Sequence, residues 1–343
     1  MRSESAARRY SRLTRIHAAG PAAFVYPLGP LVAAGGDVPP GLLVTVTALG
    51  VLSHTYGCTV NDLADLESDR RNPTRRTSVL VSGAVSVGRA RIALAVQLAA
   101  AAALTVAAAP ADGARWAFPV GTAALFVSIT VSNACQKRRI AHPLAMDALF
   151  GVNMGAPAVL CCLVAAPGVS LSAGLVASAF GIHMVLLNVV AGNLKDLEHD
   201  RAVGDDTTAL RLGVRLTETG RLVRPTPSYL MLIRVLMAAS AASLLALVLT
   251  APAPSWQQAS ASVAVSVLQA VAAHSLWALT DQRRAVDPKG RERYLGLNFL
   301  SLMVASALWA PVAVAAVAVL TAAWLPLTRG LVARPSPEQE QIA

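Results

Sequence analysis

Long apolar stretches separated by shorter polar segments dominate the chain. Nine of these stretches reach the roughly 20 residues that an α-helix needs to cross the hydrocarbon core of a bilayer. They lie near residues 15–35, 40–62, 89–110, 115–134, 143–165, 172–194, 230–251, 257–280 and 295–326. The pattern predicts an all-α, multi-pass membrane protein with about nine transmembrane helices.

The composition supports a membrane protein. Of the 343 residues, 55% are hydrophobic and 14% are charged, and the mean hydropathy is +0.55, whereas soluble globular proteins carry about 25% charged residues. The first apolar stretch could be a signal peptide, but it has full membrane length and eight more follow. Cys58, Cys135, Cys161 and Cys162 show no metal-binding spacing.

The basic residues are unevenly distributed along the chain. A net charge of +10 could indicate a nucleic-acid partner, but nearly all of the 29 Lys and Arg residues lie in the N-terminal segment and in alternate loops. Such an excess is typical of cytoplasmic loops. We therefore expect no nucleic-acid partner and a protein of the cell membrane with a cytoplasmic N-terminus. With nine spans, the C-terminus is expected outside.

No soluble domain of any size is predicted, because the polar connections between the apolar stretches are short. We expect residues 1–333 to form one membrane domain. Residues 334–343 are polar and rich in Pro and Glu, which predicts a disordered tail.

Two acidic motifs follow apolar stretches on the predicted cytoplasmic side. Residues 61–70 read Asn-Asp-Leu-Ala-Asp-Leu-Glu-Ser-Asp-Arg, and the last six recur at 196–201 as Asp-Leu-Glu-His-Asp-Arg. An ionised acid in a membrane helix costs about 2.5–3.5 kcal/mol on insertion scales, so such acids indicate function by default. The recurrence also suggests two related halves.

Helical spacing predicts that the acids of each motif line one side of a helix. The acids and the amides beside them are Asn61, Asp62, Asp65, Asp69, Asn193, Asp196 and Asp200. Carboxylate and amide oxygens suit Mg²⁺, which binds through a few carboxylates and the phosphates of a substrate. The alternative is a solvated helix end that only anchors the topology. A second copy on the same membrane side argues against that alternative.

Basic side chains near the motifs complete a pattern that fits a polyanion. They are Arg70, Arg71, Arg75, Arg76, Lys137, Arg138, Arg139, Lys195 and Arg201. Carboxylates alone would repel a diphosphate, whereas a bridging metal with Arg and Lys around it neutralises one.

The motifs resemble those of the UbiA family of intramembrane prenyltransferases. The first motif of that family, Asn-Asp-x-x-Asp-x-x-x-Asp after the second helix, is matched in full by residues 61–69. The second, Lys-Asp-x-x-x-Asp after the sixth helix, is matched by residues 195–200. The resemblance implies a helical bundle around a central cavity, an isoprenyl diphosphate substrate, and two Mg²⁺ ions as cofactors.

The resemblance also implies roles for individual residues. The catalytic metal ligands would be Asp62, Asp65, Asp69, Asp196 and Asp200, oriented by Asn61. The contacts to the diphosphate would be Arg75, Arg76, Lys137, Arg138 and Lys195, with Asn193 as a helper. Glu67 and Glu198 lie off the acidic side of the helix, and we expect them to face solvent and pair with nearby Arg.

Three further polar residues are candidates inside the predicted bundle. His54 lies in line with the first motif and is expected to face the cavity. Asp147 is either a base or acceptor contact, or an interfacial residue paired with Arg138 or Arg139. His183 is expected to be a packed, hydrogen-bonded helix residue.

The chain departs from the family pattern on the acceptor side. Residues 15–21 lack the Lys-Pro of quinone-type members, and Ala191 and Gly192 stand where many members place a Tyr. We expect transfer of the prenyl group to a hydrophobic, aromatic acceptor. The alternative is a terpene cyclase, in which the prenyl cation attacks its own double bonds. An ion-coupled transporter is a distant alternative, which charges in the middle of broken membrane helices would indicate.

Overall fold

The computed structural model describes residues 5–72, 75–109, 116–135, 141–165, 170–216, 223–281 and 288–329. The described residues form two compact units. The first unit is drawn from Met1–Tyr26, Pro39–Ala134 and Val317–Ala343, and the second from Pro27–Val38 and Cys135–Ala316.

The elements are almost all helices. In chain order they are α1 (Ala6–Thr14), a 3-10 turn (Ile16–Ala18), α2 (Ala19–Ala23), α3 (Val25–Ala33), α4 (Pro40–Ala64), α5 (Leu66–Arg71), α6 (Val87–Ala108), α7 (Ala117–Cys135), α8 (Pro143–Cys162), α9 (Leu171–Leu187), a π-helical turn (Asn188–Gly192), α10 (Asn193–Lys195), α11 (Leu197–Val203), α12 (Thr208–Arg211), β1 (Arg215–Leu216), β2 (Val223–Arg224), α13 (Pro227–Leu249), α14 (Ser255–Asp281), α15 (Pro288–Ala307) and α16 (Pro311–Arg329). The two short strands pair in an antiparallel ribbon.

Eight helices in the described part of the chain are long and apolar enough to cross a membrane. They are α4, α6, α7, α8, α9 with its π-helical turn, α13, α14 and α16. Large apolar side chains such as Val44, Val96 and Val312 are exposed on these helices, as expected for surfaces that face lipid. The prediction of an all-α, multi-pass membrane protein is confirmed.

The first apolar stretch, 15–35, does not form the single predicted helix. It is divided into the 3-10 turn, α2 and α3. Pro27 in the first turn of α3 fits the break before this helix, because proline lacks the backbone N–H and its ring clashes with the preceding turn of a helix. Pro30 lies inside α3 and does not interrupt it.

The last stretch, 295–326, was predicted as one helix and forms two, α15 and α16. The break falls at residues 308–310, immediately before Pro311. Proline is favoured at the first position of a helix and disfavours helical backbone in the residue before it. The early part of α15 carries four charged residues between 289 and 293, which makes this helix less apolar than the others.

Aromatic contacts join α4 to α7 in the first unit. The Tyr56 ring meets the Phe126 ring edge-on, with the centroids 5.0 Å apart, and the Tyr56 and Thr130 hydroxyls are 2.7 Å apart. On its other side, α4 approaches α2 at Gly50, where a Cβ would collide with the backbone of Ala23. The helix that carries the first acidic motif is therefore held from two sides.

Glycines bring α8 and α9 close together in the second unit. A Cβ added to Gly155 would overlap the carbonyl oxygen of Ala177, and one added to Gly151 would overlap Val185 and crowd the carbonyl oxygen of Gly181. Small residues let the backbones of membrane helices approach in this way. The two helices run in opposite directions, so the start of α8 lies beside the end of α9, just before the second acidic motif.

Candidate active site

The first acidic motif lies at a junction between two helices. Asn61 and Asp62 are in the last turn of α4, which ends at Ala64, and Asp65 has φ −87° and ψ −4°. The short helix α5 then begins, and its first turn includes the bond from the Asp69 N–H to the Asp65 carbonyl, at 2.8 Å. Asp65 thus ends a membrane helix and opens a short one.

The second motif repeats this arrangement. Asp196 has φ −102° and ψ 8°, ends α10 and opens α11, and the Asp200 N–H donates to the Asp196 carbonyl at 2.8 Å. The prediction of one continuous helix through each motif is therefore wrong at Asp65 and Asp196. The two copies of the motif share a local backbone pattern as well as a sequence.

Arg15 contacts the first motif, which the sequence analysis did not predict. Its guanidinium donates to Asp62 Oδ1 in an ion pair. Burial alone would lower the pKa of Arg15, but the electrostatic effects of Asp62 first, and then of Cys58, Asp69 and Asp65, raise the pKa above its ordinary value. Three carboxylates of the motif thus act on one cation.

The backbone of Arg15 is unusual in a way that serves this contact. Its φ of 48° makes Arg15 the one non-glycine residue with positive φ in the described part of the chain. A left-handed conformation costs an L-residue about 1–2 kcal/mol. Such strain is commonly kept where function needs it, which here is the turn that directs Arg15 toward Asp62.

The other side chains near the first motif divide into two groups. Arg75 lies with its Nε 3.7 Å from Asp69 Oδ1, as expected of a residue that contacts the site. Glu67 is exposed and pairs with Arg70 at 3.4 Å, the predicted solvent-facing arrangement, and Arg76 is exposed.

His54 lies one turn deeper in α4 than Cys58. Its Nε2 is 3.5 Å from Cys58 Sγ. His54 is thus in contact with the side chain one turn closer to the first motif.

Asp147 contacts residues on both sides of the second motif, and the residue is 3% exposed. It accepts hydrogen bonds from Asn188 Nδ2, at 2.7 Å, and from Thr208 Oγ1, at 2.5 Å. The predicted partners Arg138 and Arg139 lie outside the described residues. The nearby amide of Asn193 donates to the Asn188 carbonyl at 2.8 Å.

The other predicted residues in and around the second motif differ in their exposure. Asp200 is 1% exposed, Glu198 is exposed as predicted, and Asp196 is half-buried. The Lys195 side chain, like Lys137 and Arg138, lies outside the part of the chain that the structure describes. His183 is packed as expected, its ring 5.0 Å from that of Tyr294, but its buried Nδ1 has no hydrogen-bond partner among the described residues, so the predicted hydrogen bonding is not found at this atom.

The donor set fits a hard divalent cation. Within each unit, no group of three described His, Cys, Asp or Glu side chains is close enough to hold a metal as placed. The predicted ligands nevertheless offer only carboxylate and amide oxygens, which Mg²⁺ prefers, and the Arg15 guanidinium already supplies positive charge near three of the carboxylates. A cation in the same place would take over that role.

Sequence reasoning missed Arg15, Asn188 and Thr208 as site residues. Each is brought to its partner by tertiary structure, since 47 residues separate Arg15 from Asp62, and 41 and 61 separate Asp147 from its two donors. The two available signals were a lone Arg at the start of an apolar stretch and a Thr pair shortly after the second motif.

Comparisons with known proteins agree with these features. A family model described as the UbiA prenyltransferase family matches residues 22–294. No curated protein sequence matches the chain.

Solved structures show the same fold. A UbiA homologue from Aeropyrum pernix is 18% identical with a TM-score of 0.62, the match covering 84% of this chain and 96% of that one. A UbiA homologue from Archaeoglobus fulgidus bound to GPP and Mg²⁺ is 18% identical with a TM-score of 0.59, covering 92% and 99%. A structure of digeranylgeranylglyceryl phosphate synthase is 11% identical with a TM-score of 0.55, covering 88% and 96%.

Proposed function

Because the chain belongs to the UbiA prenyltransferase family, we propose that it is a Mg²⁺-dependent intramembrane enzyme that ionises an isoprenyl diphosphate. The prenyl group would then be transferred to a hydrophobic, aromatic acceptor. Homologous structures from Archaeoglobus fulgidus bound to GPP or DMAPP together with Mg²⁺ support this substrate and cofactor. A further structure of that homologue is bound to Cd²⁺.

One observation carries the proposal. Both copies of the acidic motif lie where a membrane helix ends, and in both an Asp stands at the junction with a short polar helix. Helix ends at the membrane surface can place carboxylates where a charged headgroup arrives from water while its chain lies in the apolar interior. A diphosphate with a long hydrocarbon tail is such a substrate.

The two acidic motifs and the basic residues near them would have different roles in the reaction. When bound, Mg²⁺ supplies Lewis-acid and electrostatic stabilisation of the diphosphate. Its ligands would be Asp62, Asp65 and Asp69, oriented by Asn61, and Asp196 and Asp200, aided by Asn193. The further contacts to the diphosphate oxygens would come from Arg75, Arg76, Lys137, Arg138 and Lys195.

Arg15 has a separate part in the proposal. It pairs with Asp62 in the structure, so it keeps the first motif neutralised before substrate and metal arrive. Once a metal takes over Asp62, the guanidinium is free to turn to the diphosphate, for which its planar set of donors is suited.

The bond changes follow from the chemistry of an allylic diphosphate. The C–O bond breaks with both electrons going to the diphosphate oxygen, and the positive charge is delocalised over the allyl group. The π electrons of the acceptor carbon then form the new C–C bond, and that carbon loses its proton to the released diphosphate. An apolar surrounding excludes water, which would otherwise capture the cation.

A terpene cyclase is the second candidate, and one observation favours it. Many members of the family have a Tyr shortly before the second motif, whereas this chain has Ala191 and Gly192 there. A Cβ at Gly192 would meet the Asn188 side-chain oxygen, so a larger side chain at that position would have to displace Asn188. A cyclase needs no acceptor contact, because the prenyl chain supplies its own double bonds.

Incubation with geranyl, farnesyl and geranylgeranyl diphosphates tests the proposal and separates the candidates. Membranes containing the protein should release diphosphate from one of these substrates when Mg²⁺ is present. A transferase should release it only when an aromatic acceptor is also added. Efficient formation of a cyclic hydrocarbon or terpene alcohol without acceptor would replace the transferase by the cyclase. If diphosphate release stays at the level of control membranes both with and without an acceptor, the proposed enzymatic function is wrong.

A further inference from the structure

Asp147 is a carboxylate buried within a membrane helix, and the acidic motifs do not account for it. It lies one turn into α8 and is 3% exposed. A buried carboxylate is costly unless hydrogen-bond donors or opposite charges stabilise it. None of the basic side chains that the structure places forms an ion pair with it, so its hydrogen bonds to neutral donors have that role.

The two donors flank the second acidic motif along the chain. Asn188 opens the π-helical turn eight residues before Asp196, and Thr208 opens α12 eight residues after Asp200. Each donor binds a different oxygen of Asp147. One carboxylate on α8 therefore fastens both ends of the segment that carries the motif.

On the N-terminal side, a series of contacts leads from Asp147 toward the motif. Asn188 receives a hydrogen bond on its carbonyl from Asn193, and its side-chain oxygen occupies space that is open only because Gly192 has no Cβ. The turn is held from behind by the buried Tyr229, whose hydroxyl donates to the Val189 carbonyl at 2.9 Å. π-helical turns inside α-helices are frequent at functional sites.

On the C-terminal side, the connection is shorter. Thr207 caps α12 by accepting from the Leu210 N–H, and this cap sets the direction of the neighbouring Thr208 side chain. Thr208 is 2% exposed, so its hydroxyl has little access to water.

We infer that Asp147 is a positioning residue, which fixes the placement of Asp196 and Asp200 for metal binding by holding Asn188 and Thr208. The inference rests on the proposed function. Because both of its oxygens already accept hydrogen bonds and its surface is buried, Asp147 does not take part as a base. Its function depends on hydrogen bonding and not on its charge, which distinguishes it from the motif acids.

Two pairs of variants test this role. Asp147→Asn keeps the shape and can still hydrogen bond to both partners, since an amide and a hydroxyl can exchange donor and acceptor roles, whereas Asp147→Ala cannot. Thr208→Ser keeps the hydroxyl, whereas Thr208→Val replaces it with a methyl group at nearly constant volume. Thr105→Val is the matched control, because Thr105 is equally buried but donates only to Ala101 of its own helix.

The measured quantity is the Mg²⁺ concentration that gives half of the maximal effect. It is read from diphosphate release, and independently from thermal stabilisation of the purified protein by Mg²⁺ with inorganic pyrophosphate. Loss of residues that orient metal ligands typically weakens metal binding about 10- to 100-fold. We expect a rise of that size in Asp147→Ala and Thr208→Val, and less than about threefold in Asp147→Asn, Thr208→Ser and Thr105→Val.

Other outcomes overturn the inference. If Asp147→Asn and Asp147→Ala lose diphosphate release equally while the Mg²⁺ requirement is unchanged, Asp147 acts as a catalytic base. A lower melting temperature in Thr208→Val without a change in the Mg²⁺ requirement would show a merely structural contact. If the unmutated protein neither responds to Mg²⁺ with pyrophosphate nor releases diphosphate, the proposed function fails and this inference fails with it.

Discussion

At the scale of single residues, the structure places neutralising partners on the acids that the sequence singles out. Asp62 pairs with Arg15, and Asp69 with Arg75. The spacing within the motif predicted which acids belong together, because that information is local. It could not predict Arg15, whose position depends on how the turn after α1 folds back against α4.

Replacing Arg15 should therefore destabilise the metal-free protein. In Arg15→Ala the half-buried Asp62 loses its ion pair, which we expect to cost about 1 kcal/mol because the pair is partly solvated, lowering the melting temperature in detergent by about 2–4 °C. Added Mg²⁺ should restore most of the loss, since a metal can neutralise the same carboxylate.

The matched control for this prediction is Arg70→Ala. The Arg70 pair with Glu67 is exposed on both sides, and such pairs contribute little to stability. Equal melting temperatures for Arg15→Ala and the unmutated protein, or an equal loss in both arginine variants, would contradict a specific role for Arg15.

At the scale of elements, the hydrophobic pattern predicted most helices but not their interruptions. The breaks at Asp65 and Asp196 are invisible to periodicity, because the residues on both sides remain compatible with a helix. The breaks in the first and last apolar stretches were readable in principle from their prolines. The close approach of α8 and α9 was also unpredicted, since glycine spacing does not identify the partner helix.

The glycines of α8 provide a prediction at this scale. Gly155→Ala puts a methyl group onto the Ala177 carbonyl, and forcing the helices apart should cost about 1–3 kcal/mol. Gly174→Ala in α9 meets open space and should leave the melting temperature unchanged or slightly higher. Because the same helix pair brings Asp147 to Asn188, Gly155→Ala should also raise the Mg²⁺ requirement. Equal melting curves for the two alanine variants would show that the close packing has no energetic weight.

At the scale of the whole molecule, composition and motif together identified a membrane protein and its family, because both depend on patterns that need no tertiary contacts. The predicted position of the C-terminus depended on a helix count that the structure changes. The last stretch is two helices, and near the end of α16 Trp324 Nε1 donates to the Ile16 carbonyl at 2.7 Å. We therefore propose that α16 ends on the same membrane side as Arg15.

Labelling with a membrane-impermeant thiol reagent tests this topology. Single cysteines at Ser68, Ala253 and Gly330, in a chain without its four native cysteines, report on three connections. We expect Ala253→Cys to react in intact cells, and Ser68→Cys and Gly330→Cys to react only after permeabilisation. Reaction of Gly330→Cys in intact cells, with Ser68→Cys protected, would support the C-terminus outside.

The central claim is that the acids at the two helix junctions, and not acidic charge in general, drive ionisation of a prenyl diphosphate. The most direct measurement is Mg²⁺-dependent diphosphate release by Asp65→Ala and Asp196→Ala, compared with Glu67→Ala and Glu198→Ala from the same motifs. We predict that the rate of diphosphate release falls at least about 100-fold in each Asp variant, which corresponds to roughly 2.7 kcal/mol of activation barrier. In each Glu variant the rate should change less than about threefold, and all four proteins should remain folded. Full release by either Asp variant, or equal losses in the Asp and Glu variants, would contradict the account.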